Sequence, residues 1–197
     1  MQARTERPSP PQAGRESPSL GRGVADLTAF LGAFCFFLSA LEYMVPKPLP
    51  FMRLGVANLP ILLAVDILPL PWYLALALVK VVGMSLISGS LFSYVAVFSL
   101  AGTLTAALAM RAARKALGRL VSAVGVSVLG AVASNAVQIA IAGLFVFGDA
   151  ARLVAPPFLA TGLVTGVLLG AFADTFAAKS KWYERMCASL NKEAARG

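Results

Sequence analysis

Long apolar runs separated by short polar breaks occupy the chain from about residue 25 to residue 177. Pro, Gly and charged positions divide them into spans at about 25 to 44, 54 to 68, 71 to 89, 91 to 110, 121 to 147 and 156 to 177. A helix needs roughly 20 apolar residues to cross about 30 Å of hydrocarbon, so this pattern predicts an all-α polytopic membrane protein, a six-transmembrane-helix bundle. The second span is short and crowded by Pro60, Pro69 and Pro71. It is expected to be kinked or broken where neighbouring helices satisfy its backbone, or simply tilted.

One position breaks the apolar pattern. Lys80 stands inside LPLPWYLALALVKVVGMSLISGSLF, where a charge near the middle of the bilayer costs a few kcal/mol or more. Such a residue faces a bundle interior and serves an ion, solute or proton path; otherwise its stem snorkels to the headgroups or it pairs with a carboxylate.

Composition agrees with the pattern: 58% of residues are hydrophobic, 13% are charged, and mean hydropathy is +0.79. The net charge of +8 raises the question of nucleic acid, but the basic residues gather at the ends of apolar spans, where topology explains them better. Arg4, Arg7, Arg15 and Arg22 precede the first span, Arg111, Arg114, Lys115 and Arg119 join the fourth to the fifth, and Lys179, Lys181, Arg185, Lys192 and Arg196 follow the sixth. An even number of spans puts all three clusters on one side, and the excess of Arg and Lys makes that side the cytoplasm. Residues 1–23, rich in Pro, Ser, Gly and Arg, read as a disordered cytoplasmic tail with no signal-peptide pattern. Residues 24–178 form the transmembrane domain and residues 179–197 a basic cytoplasmic tail. Cys35 and Cys187 fall at different depths and predict neither a disulfide nor a metal site.

This topology gives the polar residues a depth. Arg53 and Asn58 open the second span from outside, Lys80 is near mid-depth, and Asn135 and Gln138, three residues apart, share a face of the fifth span. Ser127, Ala131 and Ser134 continue that face as a small, polar stripe. A cavity in the outer half for a small anionic or strongly polar solute would use Arg53, Asn58, Lys80, Asn135 and Gln138; interhelical hydrogen bonds and interfacial anchoring are the bland alternatives. Small residues recur every four positions as Ala25, Ala29 and Ala33 in the first span and as Gly162, Gly166 and Gly170 in the sixth. The glycines predict close packing inside the bundle, and the alanines either packing or docking of another membrane subunit.

Catalysis by the chain alone finds no support in its residues. It has no histidine, Asp26, Asp66, Asp149 and Asp174 are isolated, and no GxxxxGK[ST] loop is present, so any ATP hydrolysis would come from a partner. No cofactor or metal is expected.

The segments FMRLGVANLP at 51 to 60, LVKVVGMSLISGSLFSY at 78 to 94, FSLAGTL at 98 to 104, GVSVLGAVASNAVQ at 125 to 138 and APPFLATGLVTGVLLG at 155 to 170 together resemble the bacterial Gx transporter family. That family is also labelled heptaprenyl diphosphate synthase component I and is similar to the substrate-binding S components of energy-coupling factor transporters. The S-component likeness implies capture of a vitamin-like or precursor molecule from outside, a membrane coupling subunit and two ATPases as partners, and a docking role for Ala29 and Ala33, with Ala25 extending their pattern. The synthase label implies a noncatalytic membrane partner of a soluble prenyl synthase, since the aspartate-rich DDxxD motif that recruits Mg²⁺ is missing from this chain. A subunit of a membrane redox system is a third alternative. The leading expectation is the importer subunit, in the bacterial inner membrane with both termini cytoplasmic.

Overall fold

The computed structural model describes residues 18–45, 55–181, 183–186 and 188, with the side chains of 18–22 and 119 left out. Arg53, Cys187 and the outer parts of both tails lie outside the described residues. Five long helices carry the fold: α1 (Pro18–Met44), α3 (Leu70–Ile87), α4 (Tyr94–Leu117), α5 (Ala123–Ala142) and α6 (Ala151–Lys179). Between α1 and α3 lies α2 (Leu59–Ala64), a six-residue helix entered through a 3₁₀ turn at Val56–Asn58.

Among the described residues, four stretches are long and apolar enough to cross a membrane: Gly23–Met44, Leu70–Ile87, Tyr94–Leu117 and Ala123–Lys179. The last contains both α5 and α6, folded back on each other as an antiparallel pair. The bundle is apolar outside as well as inside. Phe37, Val82, Leu108, Leu129 and Leu168 are exposed, while Ser39, Lys80, Thr103, Asn135 and Gln138 are buried. In water that arrangement would forfeit the hydrophobic effect, whereas in lipid it satisfies both solvents. The chain is a multi-pass membrane protein.

The return between α1 and α3 follows from geometry. Gly32 lies against Val79 and Gly83 against Phe36, so α1 and α3 run parallel and the chain between them must come back through the bundle. Residues 55–68 make that return. At one end the Glu42 carboxylate accepts hydrogen bonds from the Gly55 and Ala57 amides, both at 3.2 Å. At the other, Arg111 donates to the carbonyls of Val65 and Leu68. The short second span is broken rather than merely tilted: it consists of a turn and a helix of about 9 Å, too short to span by itself. Pro60 starts α2 at a position where its missing N–H is harmless, and all six α2 residues are buried, so protein surrounds the broken backbone.

Three further boundaries differ from expectation. The first helix begins at Pro18, inside the segment expected to be disordered, because proline suits a helix start. The fourth continues to Leu117, which puts Arg111, Arg114 and Lys115 on a helix rather than in a loop. Their basic charge in its final turns favours the helix dipole, and Gly118 at φ +55° then reverses the chain. The sixth starts at Ala151, with Pro156 and Pro157 inside it. A π-turn at Gly143–Phe147 and a 3₁₀ turn at Gly148–Ala150 join it to α5.

Candidate functional site

Antiparallel hairpins bring the polar positions of three long helices to one level. In α3 and α4, Tyr73 donates to the carbonyl of Ala107 at 3.2 Å and Lys80 to Thr103 Oγ1 at 2.8 Å. Next to them, α5 presents Ser134 and Gln138 to Gly102 of α4, where a side chain as small as a methyl would overlap both. Asn135, on the neighbouring side of α5, donates from Nδ2 to the Phe158 carbonyl of α6 at 2.8 Å. Gly162 leaves the room for that amide, since a β-carbon there would collide with Nδ2.

The result is a cavity of about 20 Å³ lined by Gly55, Asn58, Lys80, Thr103, Gln138 and Thr165, among others. Ala131, Ser134, Asn135 and Gly162 complete its wall. Four of the five expected site residues, Asn58, Lys80, Asn135 and Gln138, thus meet at one place; Arg53 is outside the described residues. Lys80 is 4% exposed, and its ammonium is held at the cavity by Thr103. Gln138 donates from Nε2 to Ser134 Oγ at 3.1 Å, while its Oε1 and the Oδ1 of Asn58 are buried with no hydrogen-bond partner among the described residues. Orphaned carbonyl oxygens next to an ammonium make a surface that can both donate and accept. A volume of about 20 Å³ admits a single water, so any larger molecule requires α3, α4 and α5 to separate.

Thr103 and Gly55 were not singled out from sequence. For Thr103 the signal was available, because Lys80 and Thr103 stand at similar distances from the turn that joins α3 to α4, and an antiparallel hairpin pairs such positions. Gly55 has no comparable signal; its φ of +84° turns the chain toward Asn58.

The two small-residue stripes sit differently. Gly166 and Gly170 lie against the α5 backbone at Val128 and Val124, and Gly162 lies under Asn135. Ala29 and Ala33 are exposed and Ala25 partly so; with Trp72 and Val79 they border a shallow crevice between α1 and α3.

At the far end of the bundle, Arg111 lies 5.7 Å from the centre of the Tyr73 ring, and Arg114 pairs with Asp66 at 3.0 Å. These contacts tie the end of the return segment to α4.

No curated protein and no solved structure matches the chain. A family profile described as heptaprenyl diphosphate synthase component I matches residues 31–176, from the middle of α1 to the last turns of α6. The chain belongs to the heptaprenyl diphosphate synthase component I family.

Proposed function

We propose that the protein is a noncatalytic membrane component of polyprenyl diphosphate synthesis, acting with a separate, soluble prenyl synthase subunit. The family match across nearly the whole helical bundle carries this reading. The chemistry of the chain is compatible with it, because residues that would hold a metal-bound diphosphate for reaction are missing from its sequence while an apolar exterior anchors it in lipid. Its place is the bacterial cytoplasmic membrane with both termini cytoplasmic, an orientation supported by the three basic clusters. The exposed Ala29 and Ala33, extended by Ala25, offer a smooth helix face for a membrane partner.

The lysine-centred cavity favours a second reading, the solute-binding subunit of an energy-coupling-factor-type importer. In that mechanism Arg53 and Lys80 attract an anionic part of the solute, and Asn58, Asn135 and Gln138 orient its polar groups after the helices part. Purification from the native membrane in mild detergent, followed by mass spectrometry of stoichiometric proteins and retained small molecules, separates the two. Recovery of a prenyl synthase supports the first. An ATPase pair with a membrane coupling subunit overturns it in favour of the importer, and redox proteins alone overturn both. If Lys80→Met and Arg53→Gln, tested singly, left binding of a retained solute unchanged in folded protein, the site assignment would fail.

A further inference from the structure

A second cavity lies away from Lys80, between α1, α2 and α6. It is about 420 Å³, within the usual range for ligand pockets, and its wall is almost wholly apolar: Phe30, Phe34, Leu63, Phe172 and Phe176 dominate it, with Ser180 at one end. Phe30 and Phe172, each more than half exposed, stand on its lipid-facing side. Behind them the wall is braced. The Phe172 and Phe176 rings stack at 6.2 Å and 15°, Phe176 meets Tyr183 edge-on at 6.3 Å, and Tyr183 donates to the Leu63 carbonyl at 3.1 Å. Ser180, the polar end, is flanked in sequence by the exposed Lys179 and Lys181, and the exposed Arg185 follows one turn later. Glu184 is the acidic neighbour of these cations.

Any membrane protein offers crevices to acyl chains, but this one combines an aromatic slot with exposed basic residues beside Ser180, its polar end. The complementary molecule has one apolar chain and a compact anionic head. The ring faces of Phe30, Phe34, Phe172 and Phe176 give the branched isoprene units of such a chain a large apolar surface to lie on. We infer that this groove holds a polyprenyl diphosphate, with its chain against Phe30, Phe172 and Phe176 and its diphosphate at Lys179 and Lys181. The inference rests on the proposed role in polyprenyl diphosphate synthesis and adds to it a place where the chain of the product leaves the aqueous enzyme for the bilayer.

The test uses the full chain in nanodiscs of phosphatidylcholine and phosphatidylglycerol, photolabelled with geranylgeranyl diphosphate that carries a diazirine in its terminal isoprene unit. Mass spectrometry is expected to find label in peptides containing residues 30–34 and 172–176. Unlabelled geranylgeranyl diphosphate should compete, and geranylgeraniol or inorganic pyrophosphate at equal concentration should not. Phe30→Ser and Phe172→Ser, at exposed positions, should each cut labelling at least about fivefold, whereas Phe92→Ser on the α3–α4 turn should not change it. The pair Lys179→Gln and Lys181→Gln should raise the concentration of competitor required by about tenfold. Label scattered over all lipid-facing helices, or equal competition by added phosphatidylglycerol, overturns the inference and leaves an ordinary lipid crevice. Recovery of the synthase without groove labelling removes the inference but not the proposed function; groove labelling without any synthase preserves the site and removes the function.

Discussion

The glycines of α6 permit a graded test of the α5–α6 seam. At Gly170 an added methyl meets only backbone: it overlaps Val124 Cα and comes within 2.9 Å of Val124 N and 3.0 Å of Ala123 O. Backbone yields only if the helix ends spread, so Gly170→Ala is expected to cost about 2 to 3 kcal/mol. At Gly162 the obstacle is the Asn135 side chain, which would lose its 2.8 Å bond to Phe158 at a cost of about 1 to 3 kcal/mol. At Gly166 the nearest atoms are Val128 Cα at 3.1 Å and Ala131 Cβ at 3.2 Å, a few tenths of an ångström too close. There the gain in helix propensity, up to about 1 kcal/mol, offsets the crowding. Thermal unfolding in detergent, followed by the loss of the monodisperse peak on size exclusion, should place Gly170→Ala about 5 to 10 °C below the parent and Gly166→Ala within about 2 °C of it. In an Asn135→Ala background the penalty of Gly162→Ala should largely vanish, because its obstacle is gone. Equal losses at Gly166 and Gly170, or a Gly162 penalty that persists without Asn135, would refute this account of the seam.

Three other outcomes are expected. With Cys187 replaced by serine, Phe92→Cys on the α3–α4 turn should react with an impermeant maleimide in intact cells and Leu120→Cys on the α4–α5 turn only after permeabilisation; the reverse pattern would invert the proposed orientation. Glu42→Ala should release the Gly55 and Ala57 amides and increase their hydrogen exchange by about tenfold or more, while unchanged exchange would show that Glu42 does not hold the turn. Arg111→Met should destabilise the fold by about 2 kcal/mol because two carbonyls at the end of the return segment lose their donor, with a smaller loss for Arg111→Lys; no loss in either would mean that water replaces the guanidinium.

The amino-acid order alone determined the membrane class and the long helices, because an apolar run that must cross hydrocarbon has only one way to satisfy its own backbone. It also made Lys80, Asn58, Asn135 and Gln138 legible as a group, since depth in a bilayer follows from position along a span and polar side chains avoid lipid. Local pattern was weaker at boundaries. The proline pair at 156 and 157 suggested a helix start that α6 passes through, and the cluster at 111 to 115 read as a loop although it ends α4. Tertiary structure decided what no local pattern contains. The parallel packing of α1 on α3 forces residues 55–68 to return through the core, where Glu42 and Arg111 pair with backbone groups at the two ends of the segment. It also decided which side chains share the cavity and how little room it leaves: Thr103 meets Lys80, and glycines at 102 and 162 let Gln138 and Asn135 turn inward, through distances between helices that spacing along one helix does not encode.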